Sequence, residues 1–361
     1  MNEHSNSVTG RDRGKLCFIT CESGHDFGQR IHHELEGIFR REGCDEGPMW
    51  AQSKEVWFPN REVKTEIACN IRGDDVYIVQ CMDDPLRLNR SVNDNLMALI
   101  SAIDAVRQSD ADTVTAVIPQ FPYSRQERKK TREGISARWI ARLLEIAGAD
   151  RVITLDIHAE AIAGFFQRGL LENLHASKVI IEDFRESYYQ EHPHLRADDS
   201  LGKHVVVVSP DAGSADRSRY FAKVLRSELA MVDKERNYDK PGKIQSMRLV
   251  GRVKGRDVFM PDDMIATGGT LLKACRLLKQ EGARNIYLAT SLAFFNGNAV
   301  GKFNAAFRRK MFRSVIATDA VFRGSVFLER HPWYREVSIA PLFAQVIYNI
   351  NHKRSVSELL G

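Results

Sequence analysis

The sequence predicts an α/β protein built from two similar halves, each a mostly parallel sheet flanked by helices. Its apolar runs, such as KHVVVVSPD at 203–211, do not alternate with polar residues, as expected for strands buried on both faces of a parallel sheet. Helical segments separate these strands, and the alternation repeats about six times. Loops that follow strands cluster in two places, near 119–134 and near 210–213 with 262–270, which favours two halves over one long sheet.

In the first half, strands and helices alternate from the start. KLCFIT at 15–20 predicts a strand, and the helical spacing of Ile31, Leu35 and Ile38 predicts a helix over 29–41. DDVYIVQC at 74–81 predicts the next strand, followed by a helix over 93–108 that Asn93 or Asp94 would cap. A strand, a helix and a strand then follow at 113–119, 135–149 and 151–158.

The second half repeats this order. The strand at 203–211 precedes a predicted helix over 214–230, and RDVFMPDD at 256–263 precedes a helix over 270–283 and a strand over 284–291. The segment 186–203, ESYYQEHPHLRADDSLGK, is the least regular and predicts a surface insertion.

Composition excludes several classes of protein. The 361 residues include 52 Lys and Arg against 47 Asp and Glu, so the net charge of +5 is too small to indicate a nucleic-acid binder and suits a phosphate-rich ligand better. The 6 cysteines have no metal-site spacing and predict reduced core thiols. No apolar run approaches the roughly 20 residues that span a bilayer, and the amino terminus is polar, so we expect a cytoplasmic protein with no membrane partner.

VFMPDDMIATGGTLLKA at 258–274 carries the clearest chemistry. Asp262 and Asp263 end an apolar strand, and glycines with threonines then open a helix. In open α/β sheets ligands bind at the carboxyl ends of strands, and glycine amides, threonine hydroxyls and a helix amino terminus favour a phosphate. We expect the two acids to accept hydrogen bonds from vicinal ribose hydroxyls, although a capped glycine turn is the simpler alternative. The loop residues are Thr267, Gly268, Gly269 and Thr270.

Two nucleotide-binding motifs are missing from the sequence. No GxxxxGK[ST] occurs, which argues against a P-loop NTPase, and no GxGxxG follows a strand, so a Rossmann dehydrogenase has no support.

Six blocks in order resemble ribose-phosphate diphosphokinase, the phosphoribosyl-pyrophosphate synthetase family. They are NDNLMALISAIDAVR, AVIPQFPYSRQERK, DIHAEAIAGFF, VSPDAG, DKER and DDMIATGGT. The resemblance covers about residues 16–360, without 186–203. It implies two phosphoribosyltransferase-like domains, 1–172 joined by the terminal helix 341–361, and 173–340. It also implies transfer of the β,γ-diphosphoryl group of MgATP to the C1 hydroxyl of ribose 5-phosphate.

The resemblance also implies residue roles. Arg125 and Gln126 would contact ATP, and the loop at 267–270 with Asp262 and Asp263 would hold ribose 5-phosphate. His158 and Asp211 would form the Mg²⁺ site, with Asp211 the better oxygen ligand. Without the resemblance, Arg125 and Gln126 would be interpreted as part of a basic surface loop. His158 would be interpreted as a structural histidine held by hydrogen bonds.

Two further segments receive roles from the resemblance as well. Lys234 and Arg236 would close over the site and stabilise the transferring group. The segment from Trp57 looks like the family's flag, which completes the ATP site of a neighbouring subunit, so we expect a homo-oligomer. Its base-contacting residues would be Phe58, Asn60 and Glu62.

Several positions depart from the family pattern. Asn60 replaces the usual aspartate and Arg61 a glycine, Ala266 replaces the aspartate of DTGGT, and Glu235 stands where a second arginine is common. Two alternatives stay open beside the diphosphokinase: a catalytically silent regulatory subunit that binds nucleotide, and a phosphoribosyltransferase that shares the DDMIATGGT loop and consumes the diphosphate. The silent subunit would be expected to lose the phosphate loop or the loop cations, which are present.

Overall fold

The structure is a computed structural model that describes residues 13–44, 46–87, 89–197, 200–236 and 244–359, with the backbone alone described at 234–236 and 244–246. The strands of the first half are β1 (Leu16–Thr20), β2 (Met49–Trp50), β3 (Ser53–Trp57), β4 (Val63–Ile67), β5 (Asp75–Val79), β6 (Thr113–Val117), β7 (Arg151–Leu155) and β8 (Leu170–Leu174). Its helices are α1 (His25–Arg41), α2 (Val92–Gln108) and α3 (Ser136–Ala147).

Six strands of this half form one parallel sheet in the order β2-β1-β5-β6-β7-β8. The remaining two, β3 and β4, pair as an antiparallel hairpin. Helix α1 begins at His25, four residues before the predicted start. The predicted cap of α2 is wrong: Ser91 is the N-cap, and Asp94 completes a capping box by accepting from the Ser91 backbone N–H at 2.8 Å.

The second half holds a larger sheet. Its helices are α4 (Ser177–Glu191), α5 (Leu201–His204), α6 (Ala215–Val224), α7 (Gly269–Gln280), α8 (Ala299–Arg308) and α9 (Ser325–Arg330). The last helix, α10 (Ala340–Asn351), packs against α1 of the first half. The strands of the second half are β9 (Val205–Ser209), β10 (Glu228–Arg236), β11 (Ile244–Val250), β12 (Asp257–Met264), β13 (Ile286–Leu292), β14 (Ser314–Thr318) and β15 (Tyr334–Val337). The order is β11-β10-β9-β12-β13-β14-β15, parallel except for the antiparallel pair β10–β11. The predicted fold class is confirmed.

Two predictions for this half are wrong. The helix predicted over 214–230 ends at Val224, and Glu228 begins a strand that pairs with β9. The segment 186–203 is not a simple surface insertion, because α4 continues to Glu191 and Tyr188 is buried. The Tyr188 hydroxyl donates to the buried Asp257 carboxylate at 2.8 Å, which ties α4 to the start of β12.

Strand side chains alternate between two apolar cores. In β1, Phe18 faces a core shared by both sheets, whereas Cys17 and Ile19 face the outer core beneath α2 and α3. In β12, Phe259 faces the shared core and Met260 faces the outer core beneath α7 and α8. Both faces of each sheet are therefore buried, which explains the continuous apolar runs of the sequence.

Helix α1 packs against the last helix and also reaches the second half. Phe27 of α1 packs edge-on against Phe343 of α10 with ring centroids 5.3 Å apart, and Arg30 of α1 donates to Asp319 at 2.8 Å. Of the cysteines, four are buried and none of the six forms a disulfide. No helix within the described ranges has the length and apolar character needed to span a bilayer.

Candidate active site

The segment 265–270 contains the connection from β12 to α7 and the first residues of that helix. Gly268 has a φ of +67°, and a Cβ there would lie 2.2 Å from Cε2 of Phe303, so glycine is required by both conformation and space. A Cβ on Gly269 would meet no atom within 4 Å. Thr267 and Thr270 are exposed. The loop therefore offers amides and hydroxyls at the amino terminus of a helix, as an anion site does.

Asp262 and Asp263 lie in the crevice where β9 and β12 separate. Pairing of the two strands runs from Val205–Asp257 to Val207–Phe259 and goes no further. Pro261, which lacks a backbone donor, comes just after this point. A crevice between diverging strand ends is the usual ligand position in an open α/β sheet.

His158 reaches this crevice from the other half of the chain. It follows β7, and its Nδ1 lies 2.6 Å from Oδ2 of Asp263. The hydrogen bond to Asp263 raises the pKa of His158 above its ordinary value against the effect of burial. Burial by itself raises the pKa of Asp263, but the hydrogen bond and charge of His158, with the charge of Arg217, lower it overall. The pair is therefore a hydrogen bond between an imidazole of one half and a carboxylate of the other.

Asp262 lies in a more negative environment than its neighbour. Burial, together with the charges of Asp263 and Asp211, raises the pKa of Asp262 to about 7. The Ser214 hydroxyl lies 3.1 Å from Oδ1 of Asp262 and 3.2 Å from Oδ1 of Asp211. The structure thus brings the predicted sugar acids and the predicted metal acid into one cluster.

Asp156, which the sequence pattern does not single out, links the two halves behind the site. It is fully buried, and its carboxylate accepts from Arg217 at 2.8 Å, from the Ala176 amide at 3.0 Å and from the Ser291 hydroxyl. Burial by itself raises the pKa of Asp156, but Arg217, His175 and Ser291 lower it overall. The sequence signal that could have identified Asp156 is its position at a strand end, two residues before His158.

A cleft of about 620 Å³ lies between the halves beside the phosphate loop. Arg125 and Gln126 line it from the first half, and Met264 and Ala266 line it from the second. The side-chain carbonyl of Gln126 accepts from the Ser136 hydroxyl at 2.6 Å, which orients the side chain from the start of α3. The cleft joins the predicted ATP-contacting pair to the loop region.

The β3–β4 hairpin carries the predicted flag residues on its turn. Phe58 is 43% exposed, and the side-chain carbonyl of Asn60 accepts from the Glu62 amide at 3.2 Å. Arg61 has a φ of +70°, the left-handed conformation that favours glycine, which explains why a glycine is usual there. Phe58, Asn60 and Glu62 are not among the described residues that line the cleft.

Lys234 and Arg236 belong to β10, where their backbone pairs with Met247 and Ile244 of β11. Their side chains lie outside the described part of the structure, as do all atoms of residues 237–243. The roles predicted for these two cations therefore stay predictions.

The donor set of the crevice suits Mg²⁺. Asp211, Asp262 and Asp263 offer carboxylate oxygens, which Mg²⁺ prefers. Burial is the largest cause of the raised pKa of Asp262, and the charges of Asp263 and Asp211 add to it. Across the described ranges, no three metal-binding side chains are already grouped as a site.

Comparisons with known proteins agree with the geometry. The sequence pattern of the N-terminal domain of ribose phosphate pyrophosphokinase matches residues 16–148, and that of the phosphoribosyl transferase domain matches residues 171–310. A ribose-phosphate pyrophosphokinase of Rhizobium meliloti is 38% identical over 84% of this chain and 89% of its own. One of Helicobacter pylori (strain 26695) is 35% identical over 84% of this chain and 86% of its own.

A solved structure of a related protein has a similar fold over most of this chain. The phosphoribosylpyrophosphate synthetase of Mycobacterium smegmatis superposes with a TM-score of 0.77 at 29% identity, covering 93% of this chain and 98% of that chain. The similarity therefore extends over both halves of the molecule.

Proposed function

The chain belongs to the ribose-phosphate pyrophosphokinase family, and we propose how its own residues carry out the synthesis of phosphoribosyl diphosphate. In this reaction the C1 hydroxyl oxygen of ribose 5-phosphate forms a bond to the β-phosphorus of ATP. The bond from that phosphorus to the α,β-bridging oxygen breaks, AMP leaves with the oxygen, and the hydroxyl proton is released. The observation that carries the proposal is the phosphate loop directly beside Asp262 and Asp263, with His158 of the other half bonded to Asp263.

Ribose 5-phosphate binds at the end of β12. The amides of Gly268 and Gly269 and the hydroxyls of Thr267 and Thr270 hold its phosphate, because all four residues lie at the start of α7. Asp262 and Asp263 accept hydrogen bonds from the ribose hydroxyls. Ala266 lacks the polar contact that an aspartate would provide, so the two acids carry more of the sugar recognition.

ATP enters the cleft between the halves. Arg125 and Gln126 line that cleft on the first half and supply guanidinium and amide donors for its polar groups. This arrangement directs the diphosphoryl group toward the crevice, where the sugar lies. Since no covalent intermediate is required, the chain contributes mainly by positioning the reactants and by stabilising charge.

Asp211 and His158 are the residues that would hold Mg²⁺. The ion supplies neutralisation of the phosphate charge when it is bound. The chain's contribution is to orient these ligands: His158 through its bond to Asp263, and Asp211 through two hydrogen bonds from Ser214. Lys234 and Arg236, at the end of β10, stabilise the negative charge of the transferring diphosphoryl group.

We also propose an assembly and a location for the protein. We propose a homo-oligomer in which Phe58, Asn60 and Glu62 of one subunit contact the base of ATP bound to its neighbour. The exposure of Phe58 on the hairpin supports this role. The unpaired cysteines suit a cytoplasmic protein.

The two sheets suggest the domain division. We propose one domain of residues 1–172 with 341–361 and a second domain of residues 173–340. The packing of Phe343 on Phe27 supports assigning the last helix to the first domain.

The direct test incubates the purified chain with ribose 5-phosphate, ATP and Mg²⁺ and quantifies AMP and phosphoribosyl diphosphate by chromatography. Equal amounts of both products support the proposal. A sample that binds ATP but forms neither product would favour the silent regulatory subunit. Consumption of added phosphoribosyl diphosphate with a free base, without any requirement for ATP, would indicate a phosphoribosyltransferase.

A further inference from the structure

Ser214 connects the two carboxylates that serve different ligands in the proposed mechanism. It is the residue before α6, and its hydroxyl lies 3.1 Å from Oδ1 of Asp262 and 3.2 Å from Oδ1 of Asp211. Its backbone amide also donates to Oδ1 of Asp211 at 3.0 Å. Asp211 belongs to the proposed metal site, and Asp262 belongs to the proposed sugar site.

This contact spans a gap in the sheet. Asp211 follows β9, Asp262 lies near the end of β12, and the pairing of these strands ends at Val207 and Phe259. Beyond that point the Ser214 side chain links the two strand ends. Neighbouring bonds stiffen both sides, because the Ser209 hydroxyl donates to the Asp211 backbone carbonyl at 2.6 Å and the Asp263 amide donates to the Asp262 carboxylate at 3.0 Å.

A hydroxyl in this position makes each carboxylate sensitive to the other. Its single proton is donated to one acceptor at a time, so the carboxylates of Asp211 and Asp262 compete for it. A cation bound to Asp211 weakens the hydrogen bond that this carboxylate accepts from the Ser214 hydroxyl. The hydroxyl can then donate to Asp262 and orient it toward the ribose hydroxyls. An effect of one ligand on the binding of another is necessarily reciprocal.

We propose that Ser214 is a positioning residue that couples Mg²⁺ binding to ribose 5-phosphate binding through Asp211 and Asp262. The inference rests on the proposed function, since it takes the roles of those two acids from it. The hydroxyl does not touch the reacting atoms. It changes how strongly the binding of Mg²⁺ promotes the binding of ribose 5-phosphate, and the reverse.

Calorimetry without ATP measures this coupling in the absence of turnover. Ribose 5-phosphate is titrated into the full-length enzyme with MgCl₂ and, separately, with EDTA, and the ratio of the two dissociation constants gives the coupling. We expect Mg²⁺ to tighten binding by about tenfold in the unsubstituted protein. In Ser214→Ala the ratio falls toward one, and KM for ribose 5-phosphate at saturating Mg²⁺ rises more than kcat falls.

Two comparisons separate coupling from folding. Ser214→Thr keeps the hydroxyl, and Ser214→Val has the same shape as the threonine variant with a methyl group in place of the hydroxyl. We expect the coupling to survive in Ser214→Thr and to be lost in Ser214→Val. Ser227→Ala, just past the other end of α6, removes a hydroxyl that donates to the Glu228 carbonyl at 3.1 Å and leaves the ratio unchanged.

The possible failures are distinguishable. Equal ratios in the unsubstituted protein, Ser214→Ala and Ser214→Val overturn the coupling role, as does loss of coupling in Ser214→Thr. In either case the proposed function stands, because ribose 5-phosphate still binds. Absence of ribose 5-phosphate binding to the unsubstituted protein would instead overturn the proposed function and this inference with it.

Discussion

Nδ1 of His158 lies 2.6 Å from Oδ2 of Asp263, and this hydrogen bond joins the strand ends of two different sheets. His158 follows β7 of the first sheet, whereas Asp263 lies at the end of β12 in the second. The contact matters because it places the predicted metal-site histidine beside the predicted sugar acid. The site is therefore assembled by the packing of the halves and belongs to neither half alone.

The Asp263 carboxylate should determine sugar affinity. Asp263→Asn removes one negative acceptor and the ionic partner of His158, so we expect KM for ribose 5-phosphate to rise by about tenfold or more. Initial rates at varied ribose 5-phosphate and saturating ATP measure this. Asp110→Asn, at an exposed acid that pairs with Arg72, is the control. Normal saturation by ribose 5-phosphate in Asp263→Asn would remove this acid from the sugar site.

Lys234 should act on turnover more than on binding. Its interaction is made mainly with the transferring group, so Lys234→Ala lowers kcat by about 10³-fold or more with little change in ribose 5-phosphate KM. Lys254→Ala, at an exposed lysine before β12, is the matched control. Unchanged turnover in Lys234→Ala would exclude the residue from the mechanism.

Among the polar contacts between the two halves, those of the Asp156 carboxylate should contribute most to the free energy of unfolding. Asp156→Ala leaves the largely buried Arg217 without its carboxylate partner, a change that costs about 3–5 kcal/mol of unfolding free energy. Urea unfolding of both proteins measures the difference. Asp216→Ala, at an exposed acid that pairs with Arg219 on the same helix as Arg217, should change the free energy by less than about 0.5 kcal/mol. Similar losses in both variants would contradict the assignment.

Glu336 should make the protein less stable as the pH rises toward neutrality. Burial and the charge of Asp319 raise the pKa of Glu336 to about 7, and its buried Oε2 has no hydrogen-bond partner among the described residues. The folded state therefore binds the proton more tightly than the unfolded state, and the cost of ionisation grows between the ordinary pKa of 4.5 and about 7.

Glu336→Gln removes that cost. We expect the variant to be more stable than the unsubstituted protein at pH 8, by about 1–3 kcal/mol, with the difference shrinking toward pH 4.5. Urea unfolding at several pH values checks it, with the exposed Glu329→Gln as control. A constant difference across the range would show that Glu336 does not titrate there.

A shared ATP site should allow two defective variants to rescue each other. Phe58→Ala damages the contribution made to a neighbour, and Lys234→Ala damages the subunit's own site. Mixed oligomers would contain intact sites, about a quarter of the total for random mixing of equal amounts. Dissociation, mixing and reassembly followed by a rate measurement tests this. Mixtures no more active than the average of the two separate variants would indicate sites within single subunits.

Much of the fold could be predicted because both faces of each sheet are buried. A continuous apolar run such as VVVV at 205–208 indicates a strand that is covered on both sides, and the glycine loop after Asp263 marks a strand end that binds anions. Local details were less accessible. Ser91, the actual cap of α2, lies two residues before the predicted helix, and the strand that begins at Glu228 overlaps the end of a helical pattern.

The contacts that organise the site could not be predicted from spacing. Ser214 and Asp262 are 48 residues apart, and Asp156 and Ser291 are 135 residues apart. Ser214 meets Asp262 where two neighbouring strands of one sheet stop pairing, and Asp156 meets Ser291 where strand ends of separate sheets converge. No local periodicity records either contact. His158 was identified through the resemblance, whereas Asp156, two residues earlier and more deeply buried, carries no motif that distinguishes it from a structural acid.

The most direct measurement is phosphorus NMR of the reaction with ribose 5-phosphate that carries oxygen-18 on C1, together with ATP and Mg²⁺. Attack by the C1 hydroxyl on the β-phosphorus predicts AMP and phosphoribosyl diphosphate in equal amounts, with the label between C1 and the new diphosphate. ADP as the nucleotide product, or phosphoribosyl diphosphate without the label, would contradict diphosphoryl transfer at this site.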